Sequence, residues 1–175
     1  MLGLWKKTLE EKLFPDAAYP DVYSINFMGL KEAGIKGLIF DIDNTLKPPG
    51  RSGPDERVIN LFGEARKMGF ELCLLSNSLR RRALRFSSGL GIYAVTGAHK
   101  PSARGFLKCV RLMDCETAQA CVVGDQIFTD ILGARMLGMR AVYINPITAK
   151  EEITVALKRV PEHYVLKRYN RAKIQ

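Results

Sequence analysis

Short apolar runs alternate with amphipathic stretches along most of the chain. The runs at 37–42, 70–75, 92–95, 120–123 and 140–144 are rich in β-branched, aromatic and leucine side chains. Gly, Asp, Asn or Ser bounds them, which is the pattern of strands buried on both faces. Between them, segments 54–68, 79–88, 103–113 and 129–137 read as helices. Pro54 followed by Asp55 and Glu56 predicts a helix start with proline in the first turn and acids facing the positive end of the dipole. Gly69 and Gly138 predict helix ends. Strand and helix in strict alternation predict an α/β fold, a three-layer α/β/α Rossmann-like sandwich around a central parallel sheet with right-handed crossovers. Chemistry in such sheets collects at the carboxyl ends of the strands.

At 175 residues the chain is the size of one domain, read as a helical lead-in (1–34), a core (35–146) and a C-terminal extension (147–175). Its hydrophobic share of 47% is that of a globular protein, and no apolar run is long enough to span a bilayer. Lys6, Lys7, Glu10 and Glu11 interrupt the N-terminus before an apolar stretch forms, so no signal peptide is expected and a cytoplasmic location follows. Cys73 and Cys121 fall inside strand-like runs. Cys109 and Cys115 lack the paired spacing of a zinc site, so the four read as free thiols. A net charge of +9 points to acidic partners without choosing among phosphorylated small molecules, nucleic acid and an anionic membrane.

Four strand ends carry candidate chemistry. The first run closes in Asp41-Ile42-Asp43-Asn44-Thr45, either a polar turn or a pair of carboxylates holding positive charge. The second closes in Ser76-Asn77-Ser78, which alone would serve as a helix cap. Lys100-Pro101 follows the third. The fourth closes in Gly124-Asp125-Gln126, with Asp130 five residues after Asp125, a pairing that suits a divalent cation.

In this order the four resemble the motifs of the haloacid dehalogenase (HAD) superfamily: DxDxT at 41–45, a hydroxyl at Ser76, a lysine at Lys100 and GDxxxxD at 124–130. The wording GIKGLIFDIDNTL, LLSNS, HKP and VVGDQIFTDILGA is similar to the YqeG-type branch of subfamily IIIA, itself similar to phosphatidylglycerophosphate phosphatases. The resemblance implies a phosphoric monoester hydrolase that uses Mg²⁺ and an aspartyl-phosphate. Asp41 would be the nucleophile and Asp43 the acid/base. Asp41, Asp125 and the backbone carbonyl of Asp43 would be the metal ligands. Ser76, the amide of Asn77, Lys100 and Thr45 would hold the phosphate, with Thr45 satisfying the turn or orienting Asp43. Asp130 would orient ligands or Lys100, or else simply open a helix.

The intervals from Thr45 to Ser76 and from Ser76 to Lys100 are too short for a cap domain, so an open site is expected. Lys47, Arg51, Arg80, Arg81, Arg82 and Arg104 all follow strand ends and would ring its mouth, although 80–82 reads equally as a solvated helix face. Leu2, Trp5, Leu9 and Leu13 share a helical stripe that either packs on the domain or lies in a membrane interface. The basic stretch 158–173 either packs through Tyr164, Val165 and Leu166 or frays. The leading expectation is a phosphatase of a phosphorylated lipid headgroup at the surface of an anionic membrane. A cytosolic phosphatase of a sugar phosphate or nucleotide is the alternative within the class, and a non-catalytic RNA- or ribosome-binding module the alternative outside it. Few aromatics stand among the basic residues, which argues against nucleic acid.

Overall fold

Alternation along one strand, Gly37–Phe40, creates two cores. Leu38 and Phe40 face one side of the sheet and Ile39 the other, and all three are fully buried. The computed structural model describes residues 9–50, 53–77, 80–149 and 153–172, except for the side chains of 9–10, 80–82 and 153–158. In chain order the elements are α1 (Leu9–Leu13), β1 (Ala17–Tyr19), a 3₁₀ turn (Val22–Ser24), α2 (Phe27–Glu32), β2 (Gly37–Phe40), α3 (Glu56–Lys67), β3 (Glu71–Ser76), α4 (Arg80–Leu90), β4 (Tyr93–Thr96), α5 (Ala103–Leu112), a 3₁₀ turn (Thr117–Gln119), β5 (Ala120–Gly124), a π-helical turn (Ile127–Ile131), α6 (Leu132–Met136), β6 (Arg140–Ile144) and α7 (Ile153–Ala172).

The six strands form one parallel sheet in the order β1-β6-β5-β2-β3-β4. Phe40 pairs with Leu74 of β3 and with Val123 of β5, so β2 is central. From β2 the chain steps outward through β3 and β4, then crosses back to β5 and β6 on the other side. The reversal lies between the carboxyl ends of β2 and β5, the crevice where open α/β sheets place their ligands.

On the Phe40 side, α3 and α4 bring Val58, Phe62, Ala83 and Phe86, with the Phe40 and Phe62 rings 4.8 Å apart. On the Ile39 side, α5 and α6 bring Phe106, Cys109, Val110 and Ala134. Burial of each large side chain contributes roughly 2 kcal/mol. The expected three layers are present, and α3 with β3, then α4 with β4, fill both intervals where a cap domain would be inserted. All four cysteines are free thiols.

The structure adjusts the expectation at several points. The helix expected at 54–68 begins at Glu56, and Asp55 caps it by accepting a hydrogen bond from Val58 N, which leaves Pro54 outside the first turn. The segment expected as a helix over 129–137 starts earlier, as the π turn. The lead-in is not wholly helical: β1 adds a sixth, edge strand beside β6. Asp16 anchors it, accepting hydrogen bonds from Arg135 Nη1 at 2.7 Å and from Ala141 N at 2.8 Å. In the extension, Val165 and Leu166 pack on the core as expected, but Tyr164 is 62% exposed and Tyr169 is the buried aromatic, edge-on to Phe14. Leu2 and Trp5 lie outside the described residues. No helix among the described residues is long and apolar enough to cross a membrane.

Candidate active site

The β2 ladder continues one residue past the strand, with Asp41 N donating to Val123 O at 2.9 Å. This fixes the Asp41 backbone at the sheet reversal and leaves its carboxylate buried above the strand ends. The chain then turns through Asn44, whose φ of 69° is a left-handed conformation that asparagine tolerates. The Asn44 side chain accepts from Thr148 N and donates to Thr148 O, both at 2.9 Å, tying the turn to the loop after β6.

Lys100, just ahead of α5, reaches into the crevice. Its Nζ donates to Asp41 Oδ1 at 2.5 Å, to Asp130 Oδ1 at 2.6 Å and to the Leu75 carbonyl at 3.2 Å. Its backbone N donates to Asn77 Oδ1 at 2.8 Å, so the end of β3 holds the lysine in place. Asp130 arrives from the π turn, a wider coil than an α-helix and one that recurs at functional sites. Gly124 makes room for it: a Cβ there would fall 2.5 Å from Asp130 Oδ2 and 2.6 Å from its Cβ. Asp125 is fully buried, and its Oδ1 accepts the Thr45 hydroxyl hydrogen at 2.8 Å.

Three carboxylates, Asp41, Asp125 and Asp130, thus offer oxygens within 4.8 Å of one another. Asp41 Oδ2 is buried with no hydrogen-bond partner, and such a buried polar atom calls for an explanation. Hard anionic oxygens at this spacing, one of them unsatisfied, fit a divalent cation such as Mg²⁺. The charges shape the titration. Burial pushes the Asp41 carboxyl well above the usual range, opposed by Lys100 and reinforced by Asp130 and Asp125. Burial also pushes Asp125 up to about 6, with Asp130 adding to the rise and Arg159 opposing it. On Lys100 burial works against the charge, but Asp130 and Asp41 outweigh it and hold the ammonium protonated.

Of the residues singled out in the sequence, Asp41, Thr45, Lys100, Asp125 and Asp130 meet here. Ser76 is buried at the end of β3, and Asp43 is half-buried with its carboxylate outside the cluster of three. Thr45 meets Asp125 and not Asp43, its hydroxyl hydrogen going to Asp125 Oδ1. Lys47 is not a rim residue: it is 5% exposed, with its ammonium 5.1 Å from the centre of the Phe86 ring. Arg104 is exposed, whereas Arg51 and the side chains of Arg80, Arg81 and Arg82 lie outside the described residues.

One participant has no signal in the local sequence. Arg159 of α7 binds Asp125 twice, Nη1 donating to its carbonyl at 2.5 Å and Nη2 to its Oδ2. Glu162, one turn along, accepts from Arg159 Nη1 at 3.0 Å and from Phe128 N at 3.3 Å. A basic helix near the end of the chain shows nothing in its periodicity that would assign it to this site.

Residues 50–138 match the family model of haloacid dehalogenase-like hydrolases. The chain is 32% identical to the probable phosphatase YqeG of Bacillus subtilis over 90% of its own length and 92% of that protein's. It is also 32% identical to the chloroplastic phosphatidylglycerophosphate phosphatase 1 of Chlamydomonas reinhardtii, over 86% of this chain and 60% of that one. Among solved structures, an HAD phosphatase from Thermococcus onnurineus superimposes with a TM-score of 0.52 at 18% identity, covering 70% of this chain and 91% of that one, a likeness of fold.

Proposed function

Because the chain belongs to the haloacid dehalogenase-like hydrolases and is close to the YqeG-type phosphatases, we propose that it hydrolyses a phosphate monoester through an aspartyl-phosphate on Asp41. The observation that carries this reading is the state of Asp41 itself. One oxygen is held by Lys100 and the other is buried and unpartnered, inside a cluster of three carboxylates. A nucleophilic carboxylate must be ionised, and burial opposes that; the Lys100 ammonium is what favours the anion.

Asp41 attacks phosphorus and the ester oxygen departs, taking a proton from Asp43. A water then attacks the acyl phosphate, gives its proton back to Asp43, and releases inorganic phosphate with Asp41 restored. Asp43 suits this shuttle because it stands at the same strand end but outside the carboxylate cluster. Ser76, the Asn77 amide and Lys100 hold the phosphoryl oxygens. The three acceptors on Lys100 use all its ammonium protons, so a phosphoryl oxygen takes the place of one of them. The Leu75 carbonyl, at 3.2 Å, is the longest contact. Mg²⁺ held by Asp41 and Asp125, with the backbone carbonyl of Asp43, would supply charge that offsets the phosphoryl group's own. Asp130 keeps Lys100 in place.

For the substrate, we propose a phosphorylated lipid headgroup such as phosphatidylglycerophosphate, presented at an anionic membrane surface. The uncapped site, the net charge of +9 and the likeness to the algal enzyme support this. The test is phosphate release from phosphatidylglycerophosphate in mixed micelles, with Mg²⁺ and then with EDTA, beside soluble sugar phosphates and nucleotides. Metal-dependent turnover confined to the lipid is the expected result. Turnover confined to soluble esters removes the lipid and keeps the chemistry, and silence on all substrates overturns both.

A further inference from the structure

The geometry points to Arg159 as the resident counter-cation of Asp125, one that competes with the divalent ion for that carboxylate and so sets the metal affinity of the site. This inference rests on the metal reading above and concerns a residue outside every motif strand end. The Asp125 side chain has two oxygens, and both are engaged. Oδ1 is taken by Thr45, a neighbour buried with it at the strand ends, while Oδ2 is taken by Arg159, which reaches in from the last helix with 20% of its side chain exposed. Thr45 brings no charge and Arg159 brings a full one. A divalent ion that binds Asp125 meets the guanidinium as a like charge on the same carboxylate.

Glu162 tempers that competition. It is 2% exposed, pairs with Arg159 Nη1, and is itself anchored by the Phe128 amide at the start of the π turn. The pair clamps α7 to the segment that carries Asp125 and Asp130. Glu162 offsets the guanidinium's charge, so without it the full positive charge would bear on the metal position. Metal binding and the Arg159–Asp125 contact are therefore coupled, and each weakens the other by the same factor.

The two residues of the clamp have opposite predicted signs, and that distinguishes the proposal from a structural role, in which loss of either partner loosens the loop and weakens metal binding. Mg²⁺ titration calorimetry on the full chain, with melting temperatures taken in parallel, tests it on wild type, Arg159→Gln, Arg159→Lys, Glu162→Gln and Asp125→Asn. Removal of one positive charge this close to the site should tighten Mg²⁺ binding about tenfold in Arg159→Gln. Arg159→Lys should stay near wild type, and Glu162→Gln should bind more weakly. Unchanged or weaker binding in Arg159→Gln overturns the proposal, as does tighter binding in Glu162→Gln. Asp125→Asn separates the two levels: loss of Mg²⁺ binding there supports the metal reading whatever Arg159 does. Undiminished binding there, or none in wild type, removes the metal reading and this inference together.

Discussion

Thr45 and Asp125 stand 80 positions apart in the chain, yet the hydroxyl of one donates to Oδ1 of the other at 2.8 Å in the buried crevice between β2 and β5. This contact joins the first and fourth motif segments directly. It also orients the Asp125 carboxylate, proposed above as a metal ligand, in the manner of outer partners at metal sites.

Thr45→Val keeps the shape and removes the donor. The variant should lose about 1–2 kcal/mol of stability and require about tenfold more Mg²⁺ for half-maximal activity. The KM for the phosphorylated substrate should stay near wild type. A raised substrate KM with an unchanged metal requirement would instead put the hydroxyl on the phosphate.

Asp41→Asn removes the proposed nucleophile and leaves the side chain's volume. Turnover should fall on the order of 10⁴-fold or more, while the circular dichroism spectrum and cooperative unfolding remain. Activity at wild-type level, with deamidation excluded by mass spectrometry, rules out Asp41 as the attacking group.

Gly124→Ala tests the close approach of Asp130. Its new Cβ would sit 2.5 Å from Asp130 Oδ2, so Asp130 must move away and Lys100 loses its 2.6 Å partner. We expect a loss of about 1–3 kcal/mol in urea unfolding together with reduced activity. Gly63→Ala, where a Cβ meets nothing within 4 Å, should leave activity unaltered.

Metal-free stability should depend on pH through Asp125. Its folded pKa, about 6, lies above the value of about 4 for an unfolded aspartate, so the folded state binds the extra proton between the two. The stability tied to that proton is complete below about pH 4 and is lost as pH rises through about 6. In EDTA, the stability of Asp125→Asn relative to wild type should therefore increase from pH 4 to pH 7. A difference constant across that range would show that Asp125 titrates normally.

The strand-end motifs were legible because each is local. Asp41, Lys100 and Asp125 follow apolar runs whose composition marks them as parallel strands, and a parallel sheet brings all its carboxyl ends to one edge. The same reasoning could not see that Lys47 turns inward to Phe86, since a lysine in a turn has no local mark of burial. Nor could it place β1, three residues long, whose edge position depends on Asp16 meeting Arg135 and Ala141.

The sequence by itself determined the α/β sandwich, the absence of a cap and the residues carried by the four strand ends, since strand alternation and turn chemistry are encoded within a few neighbouring positions. Only the tertiary structure decided which groups share a charge. It gave Lys100 both Asp41 and Asp130, turned Thr45 to Asp125, and brought Arg159 and Glu162 of the last helix against the fourth strand end. Those contacts join segments from 30 to 80 positions apart. Those of Asp130, Arg159 and Glu162 depend on how α7 and the π turn dock, and docking is settled by packing over the whole surface of the sheet.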